Sequence, residues 1–289
     1  EPTSNLPGYP HTLAFVTYLT SAITGRLAEV ASAVFTVILL THFAVTLGRV
    51  AKDTVRGVQS DGRIGWIYCA IGALAVTGFN PTFVPKIVFT AYADTPTMVL
   101  VGMLCVLMWM LLNTLSGSDD RYSAKTLAWG FGMVAMAAAG TKQPNIVLCG
   151  LLAIGGLVVA LRDAQISVRA YLKLLPAILL PAFTIYLAWR LHLHTNQITG
   201  EFQFLGPDGW MLDKIHIIAG QMLTVATKKG GYFSVMLIAC IFGARALWRI
   251  RTPFDRLSLI VAILFAGYVS FLLFVYVTAF GPNGLVAPS

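Results

Sequence analysis

Charged residues are scarce in this sequence, and their scarcity excludes most classes of soluble protein. Lys, Arg, Asp and Glu account for 11% of the 289 residues, whereas soluble domains contain roughly 25%. Hydrophobic residues account for 57%, and the mean hydropathy is +0.77. A water-soluble enzyme, a disordered chain and a nucleic-acid binder are therefore excluded. The sequence predicts a polytopic membrane protein that is surrounded by the lipid bilayer.

Several common signatures are also absent. The 4 cysteines lie in apolar runs without a C-x-x-C pair, so neither a zinc site nor a disulfide framework is predicted. The G-x-S-x-G, P-loop and G-x-G-x-x-G patterns do not occur. The first residues contain no basic segment that leads into an apolar one, so they do not predict a signal peptide.

Apolar runs that are long enough, or nearly so, to cross a membrane recur along the chain. A helix needs about 20 apolar residues to cross the hydrocarbon core, and strand-type alternation is not seen. We therefore predict an all-α bundle in which residues 1–289 form a single transmembrane domain with about eight or nine membrane helices. The runs cover residues 12–24, 28–48, 64–78, 95–115, 126–140, 145–161, 173–190, 232–248 and 257–280.

The distribution of Lys and Arg predicts an orientation. With residues 49–63, 116–125, 162–173 and 244–256 on the cytoplasmic side, thirteen Lys and Arg residues lie there and six lie opposite. From residue 64 onward the parity of the runs agrees with this placement, whereas the topology of the first 48 residues stays open.

The external side then receives a long loop at about residues 191–231. Within it, residues 210–227 place their apolar side chains largely on one helical face, which is typical of a helix lying on the membrane surface. A lid that packs against the bundle fits the same pattern. Long loops on a compact bundle usually carry function.

Two ionisable residues at the external edge each have a structural and a functional interpretation. Asp94 lies where a loop turns into the 95–115 helix, either as a helix cap or as a carboxylate in a cavity that serves as an acid, a base or a metal ligand. Lys142 lies in a sharp break between two apolar helices and fits either a phosphate site or a lysine that reaches the interface. Lys86 and Arg190 have the same two interpretations as Lys142.

The histidines raise the question of a metal. His192-x-His194 and Asp213-x-x-His216 flank the external loop, but no third ligand has convincing spacing. We therefore predict no metal and no other cofactor, with a divalent metal as a minor alternative.

Short motifs follow one another in a recognisable order. They are Tyr9-Pro10, a Gly-rich segment from Gly72 to Asn80-Pro81, Tyr92-Ala93-Asp94, and Gly140-Thr141-Lys142. This order resembles the GT-C superfamily of integral-membrane glycosyltransferases, which includes protein O-mannosyltransferases and lipid A aminoarabinose transferases. The resemblance covers about residues 7–190, and the order and spacing of the motifs carry it.

The resemblance implies transfer of a sugar from a polyprenyl-phosphate donor to a glycan, lipid or protein acceptor. The expected location is a bacterial inner membrane, with the site facing the periplasm. Relatives carry their principal catalytic Asp upstream of the Tyr-Pro pair, after a first transmembrane helix. Tyr9 lies close to the start of this sequence. We therefore expect the first transmembrane helix and the principal catalytic Asp to lie outside the sequence.

The resemblance also implies roles for individual residues. Asp94 is expected in the active-site cavity, where a carboxylate accepts the proton of the acceptor. A cation near the leaving group stabilises its negative charge, and this role falls to Lys142. The residues expected with Lys142 at the lipid-linked phosphate are Lys86, Arg190 and Tyr92, and those expected on the acceptor side are Tyr9, His192, His194 and Trp210.

Two other functions fit the same composition. One is a transporter or flippase for lipid-linked or anionic substrates, and the other is a non-catalytic membrane subunit of an envelope-glycan assembly complex. Transporters tend to show inverted repeats and helices that are broken near the bilayer midplane. Here no repeat is visible and the polar breaks cluster at one edge, which favours the transferase.

Overall fold

The computed structural model describes residues 12–28, 30–56, 65–77, 94–119, 121–197, 207–228 and 230–280. Within these ranges all the regular structure is helical, which confirms the all-α prediction. A π-helical turn, Tyr276–Phe280, extends the last helix. The helices are α1 (Thr12–Thr24), α2 (Ala31–Arg56), α3 (Trp66–Val76), α4 (Asp94–Leu115), α5 (Ala124–Thr141), α6 (Asn145–Arg162), α7 (Val168–Thr195), α8 (Ile215–Lys228), α9 (Gly230–Trp248) and α10 (Pro253–Val275).

Three helices begin at residues whose side chains cap them. The Ser123 hydroxyl accepts a hydrogen bond from the Thr126 N–H at the start of α5, and Ser167 does the same at the start of α7. At α10, Thr252 and Asp255 form a reciprocal capping box ahead of a long apolar run. These caps fix the helix starts on the side that the Lys and Arg distribution predicts to be cytoplasmic.

Five of the described helices are long and apolar enough to cross a bilayer, as expected of an integral membrane protein. A sixth span results if residues 207–228 and 233–248, which meet at an angle of 109°, count as one broken span. The predicted eight or nine membrane helices are not confirmed. Two of the apolar runs near the N-terminus form short helices, since α1 has 13 residues and α3 has 11, fewer than the roughly 20 that a span requires. The run between them forms α2, which has 26 residues.

The main core lies between α4, α5, α6, α7 and α10. Phe131, Leu104, Leu152 and Ile260 are fully buried in it. Tyr171 is buried there as well, and its hydroxyl donates a hydrogen bond of 2.8 Å to the carbonyl of Ala153. A buried tyrosine in an apolar core needs such a partner, and this bond ties α7 to α6.

The end of the bundle that holds the α4–α5 and α6–α7 loops is fixed by one buried arginine. Arg256 at the start of α10 pairs with Asp163 at 2.7 Å. Its guanidinium also donates to Asn113 at 2.9 Å and to Gln165 at 2.9 Å. Residues from three segments that are distant in sequence therefore meet at the Arg256 side chain. A cluster of hydrogen-bonded polar groups holds this end of the bundle together.

The predicted loop at 191–231 differs from the structure at its start. Helix α7 continues through Thr195, so residues 191–195 are helical. Beyond it, the described loop consists of two short 3-10 turns followed by α8. The Met211 N–H donates to the Val277 carbonyl at 3.1 Å, which holds the loop against the end of α10. The prediction of a helix on the membrane surface is not confirmed.

Candidate functional site

Asp94 and Lys142 form an ion pair, with 2.5 Å between Asp94 Oδ1 and Lys142 Nζ. They are 48 residues apart in sequence, and they meet because α5 packs antiparallel to α4, with the end of α5 beside the start of α4. The pair is accessible, since 66% of the Asp94 side chain and 31% of the Lys142 side chain are exposed. One acceptor and one cation therefore lie together at the end of the bundle opposite Arg256.

Asp94 is the first residue of α4, with Thr95 and Pro96 buried directly behind it. An acidic side chain in the first turn is stabilised by the positive end of the helix dipole. Pro in the first turn is tolerated because its missing N–H has no helical partner there. The local sequence thus begins a helix at Asp94 and anchors its next two residues in the core, while the carboxylate stays at the surface.

Lys142 ends α5 in an extended conformation, with φ −152° and ψ 122°. The next helix begins at Asn145, after Pro144. The first N–H groups of α6 are already used, because Asn145, Ile146 and Val147 donate to the carbonyls three residues before them. An anion at this helix end would therefore meet the ammonium of Lys142 and the helix dipole rather than free N–H groups.

Asn145 is a site residue that the sequence interpretation missed. It is buried, and its side-chain amide donates to Thr97 Oγ1 at 3.1 Å and to the Ala138 carbonyl at 2.8 Å. The sequence feature that points to Asn145 is its position at the start of an apolar helix, because burying a polar side chain without a hydrogen-bond partner is costly. Its partners come from two other helices, and a single sequence does not indicate them.

The predicted residues on α7 lie at its C-terminal end. Arg190, His192 and His194 are exposed there, and buried Leu193 holds this turn against the bundle. The His192 ring stacks on Trp189 with centroids 5.1 Å apart. In the part of the chain that the structure describes, neither histidine nor Arg190 forms a hydrogen bond or ion pair with the pair at Asp94.

The Trp210 side chain packs against the end of α10. Its ring contacts Phe274 edge to face, with centroids 6.0 Å apart. Together with Leu212, Ile215 and Leu273 it lines an open apolar groove between the loop and α10. The remaining predicted residues, Tyr9, Lys86 and Tyr92, lie outside the described residues.

The metal alternative gains no support from the geometry. Across the ranges that the structure describes, no three His, Cys, Asp or Glu side chains come together to hold an ion.

No protein-family model, curated protein or solved structure matches the chain. The geometry of the site and the motif resemblance are thus the grounds for a functional proposal.

Proposed function

We propose that the chain is an integral-membrane glycosyltransferase of the GT-C type, which moves a sugar from a polyprenyl-phosphate donor to an acceptor hydroxyl or amine. The observation that carries this proposal is the contact between Asp94 and Lys142. The resemblance assigns these two residues to the acceptor proton and the donor phosphate, and their contact supports the proposal that both act on one substrate. A polar pair at the end of an apolar bundle suits a donor with a phosphate head and a lipid tail.

In the proposed reaction, the donor phosphate replaces Asp94 as the partner of Lys142. The acceptor oxygen or nitrogen attacks the anomeric carbon, and the bond between that carbon and the phosphate oxygen breaks. The electron pair leaves with the polyprenyl phosphate, whose negative charge the Lys142 ammonium stabilises. The freed Asp94 carboxylate takes the proton of the acceptor as a general base.

We further propose that the Asp94 end faces the periplasm of a bacterial inner membrane. The opposite end carries exposed aromatic side chains at Trp66, Tyr122 and Trp248, which are typical of a membrane–water boundary. Arg249 and Arg251 follow Trp248 directly, and an excess of cations marks the cytoplasmic side. Glycan, lipid and protein acceptors all remain compatible with such a site.

The test is transfer of radiolabelled sugar from polyprenyl phosphate by protein in liposomes. Loss of the general base in Asp94→Asn is expected to lower the transfer rate about 10²- to 10⁴-fold. Loss of the cation in Lys142→Met is expected to lower it about 10²- to 10³-fold. Lys173→Met removes an exposed charge near the start of α7, away from the Asp94 end, and should keep the wild-type rate. Equal transfer by all four proteins would contradict the proposal.

One observation favours a second candidate, a transporter of lipid-linked or anionic substrates. The segments 207–228 and 233–248 meet at 109°, and discontinuous helices are typical of substrate sites in transporters. The same liposomes separate the two functions. Movement of labelled donor across the bilayer without sugar transfer would support the transporter, whereas transfer without such movement supports the transferase.

A further inference from the structure

The amide of Asn145 connects the two helices that carry the ion pair. Its Nδ2 donates to Thr97 Oγ1 on α4 and to the Ala138 carbonyl on α5. The same Ala138 carbonyl also accepts the backbone N–H of Lys142 at 3.2 Å. One side chain on α6 thus holds both neighbouring helix ends.

The two partners of Asn145 lie one turn from the two charged residues. Thr97 follows Asp94 by three residues, and Ala138 precedes Lys142 by four. In a helix with 3.6 residues per turn, a three-residue offset places Thr97 on the same face of α4 as Asp94. Ala138 lies one turn before Lys142, and its carbonyl accepts the Lys142 N–H at the end of α5. The amide therefore lies one turn inward from the pair, between the helices whose separation sets the distance between carboxylate and ammonium.

The Asp94–Lys142 pair needs support from a neighbouring side chain because its two side chains are themselves loosely held. Lys142 reaches Asp94 through a flexible four-carbon stem, and both side chains are partly exposed. Asn145 is only 2% exposed, and a buried amide with its hydrogen bonds made has one preferred geometry. Reactive groups are held in a productive arrangement by such supporting hydrogen bonds.

We infer that Asn145 is a positioning residue for the Asp94–Lys142 pair and acts through Thr97 and Ala138. The inference rests on the proposed function only where it concerns catalysis. The geometric part, that Asn145 sets the contact between the two charges, stands on the hydrogen bonds alone.

The geometric part is tested by the reactivity of the Lys142 amine toward an acylating reagent in detergent, read by mass spectrometry. Labelling of exposed Lys173 on α7 corrects for differences in reagent dose, and labelling of buried Lys52 on α2 reports general unfolding. Asp94→Asn removes the partner of Lys142 and should raise its labelling rate about two- to fivefold, the range for an exposed ion pair. Asn145→Ala and Thr97→Val should reproduce a substantial part of that increase.

Two further variants serve as controls. One keeps the hydrogen bond between Asn145 and residue 97, and the other removes a threonine hydroxyl elsewhere. Thr97→Ser keeps the acceptor oxygen and should label like the wild type. Thr184→Val removes a hydroxyl that bonds only within α7 and should have no effect. If Asn145→Ala and Thr97→Val both label at the wild-type rate while Asp94→Asn labels faster, the inference is overturned. Unchanged labelling of Asp94→Asn would overturn it too, since there would be no pair to position.

The catalytic part is tested by sugar transfer with the same variants. A positioning role predicts that Thr97→Val lowers kcat more than it raises KM, and that Thr97→Ser restores kcat. Equal kcat in wild type and Thr97→Val would overturn this part. If the wild type transfers no sugar but the labelling pattern is as expected, the proposed function fails and the geometric inference is supported.

Discussion

Two of the ion pairs among the described residues differ strongly in exposure. Arg256 and Asp163 are 2% and 4% exposed and are surrounded by further hydrogen-bond partners. Asp94 and Lys142 are accessible, so a substrate can replace one partner. A buried, fully bonded pair is costly to open, whereas an exposed pair exchanges at little cost. The Asp94–Lys142 pair is therefore the more accessible of the two.

Breaking the buried pair should destabilise the protein strongly. Arg256→Met or Asp163→Leu leaves the other charge buried without its partner, so each is expected to cost about 3–5 kcal/mol. The double variant should cost less than the sum, because it leaves no unpaired charge. The measurement is thermal unfolding in detergent, with exposed Arg249→Met as the control. Additive losses in the double variant would show that the two charges are not coupled.

Asp119 should make stability depend on pH in acid. Hydrogen bonds from the Arg121 guanidinium, the shorter at 2.8 Å, lower the pKa of this carboxyl below its usual range. A carboxyl with a lowered folded-state pKa contributes stability above its unfolded pKa of about 3.9 and loses it as the pH falls through the folded value. The stability difference between wild type and Asp119→Asn should thus be constant near neutrality and shrink below about pH 4.

Thermal unfolding across this pH range checks the prediction. Asp208→Asn, on the exposed turn Pro207–Gly209, controls for the removal of one negative charge. A difference between wild type and Asp119→Asn that stays unchanged into strong acid would contradict the assigned role of Arg121.

At the scale of elements, α2 and α3 pack through small residues. A Cβ added at Gly72 on α3 would collide with the Ala44 carbonyl of α2, and one at Gly48 would collide with the Tyr68 carbonyl. Helices in membranes associate closely where small residues let their backbones approach. This contact lets the short helix α3 pack against α2.

Gly72→Ala is therefore expected to destabilise the chain by about 1–3 kcal/mol, the usual cost of overpacking. Gly150→Ala on α6 is the matched control, because nothing lies within 4 Å of its added Cβ. This control should be neutral or more stable by up to about 1 kcal/mol, since Ala favours helix over Gly. The measurement is thermal unfolding of both variants. Equal effects of Gly72→Ala and Gly150→Ala on stability would contradict the close contact between α2 and α3.

The positions of the helices were largely predictable, and their roles less so. An apolar run marks every described helix except α8, which has a one-sided apolar pattern instead, and the run at 28–48 ends eight residues before α2 does at Arg56. Helix geometry can continue through polar residues, which hydropathy does not detect. The sequence indicates Asp94 and Lys142 because charges near the hydrocarbon core are costly, and the structure brings their side chains into contact. Asn145 was not predicted, because its partners become neighbours only when α4, α5 and α6 pack.

At the scale of the whole molecule, the two ends of the bundle differ. One end is held by Arg256 and by the Trp109 indole, which donates to the Pro253 carbonyl at 2.8 Å. The other end carries the accessible pair and the loop that packs on α10. This asymmetry agrees with the proposal of a site at one face of the membrane, whose orientation rests on the distribution of Lys and Arg.

The affinity of a short-chain polyprenyl phosphate for wild type, Asp94→Asn and Lys142→Met in nanodiscs tests the central claim most directly. Because Asp94 competes with the phosphate for Lys142, Asp94→Asn should bind the lipid about two- to fivefold more tightly, although it transfers sugar more slowly. Lys142→Met should bind more weakly than the wild type. Equal affinities in all three proteins would contradict the claim that the ammonium at 142 receives the donor phosphate.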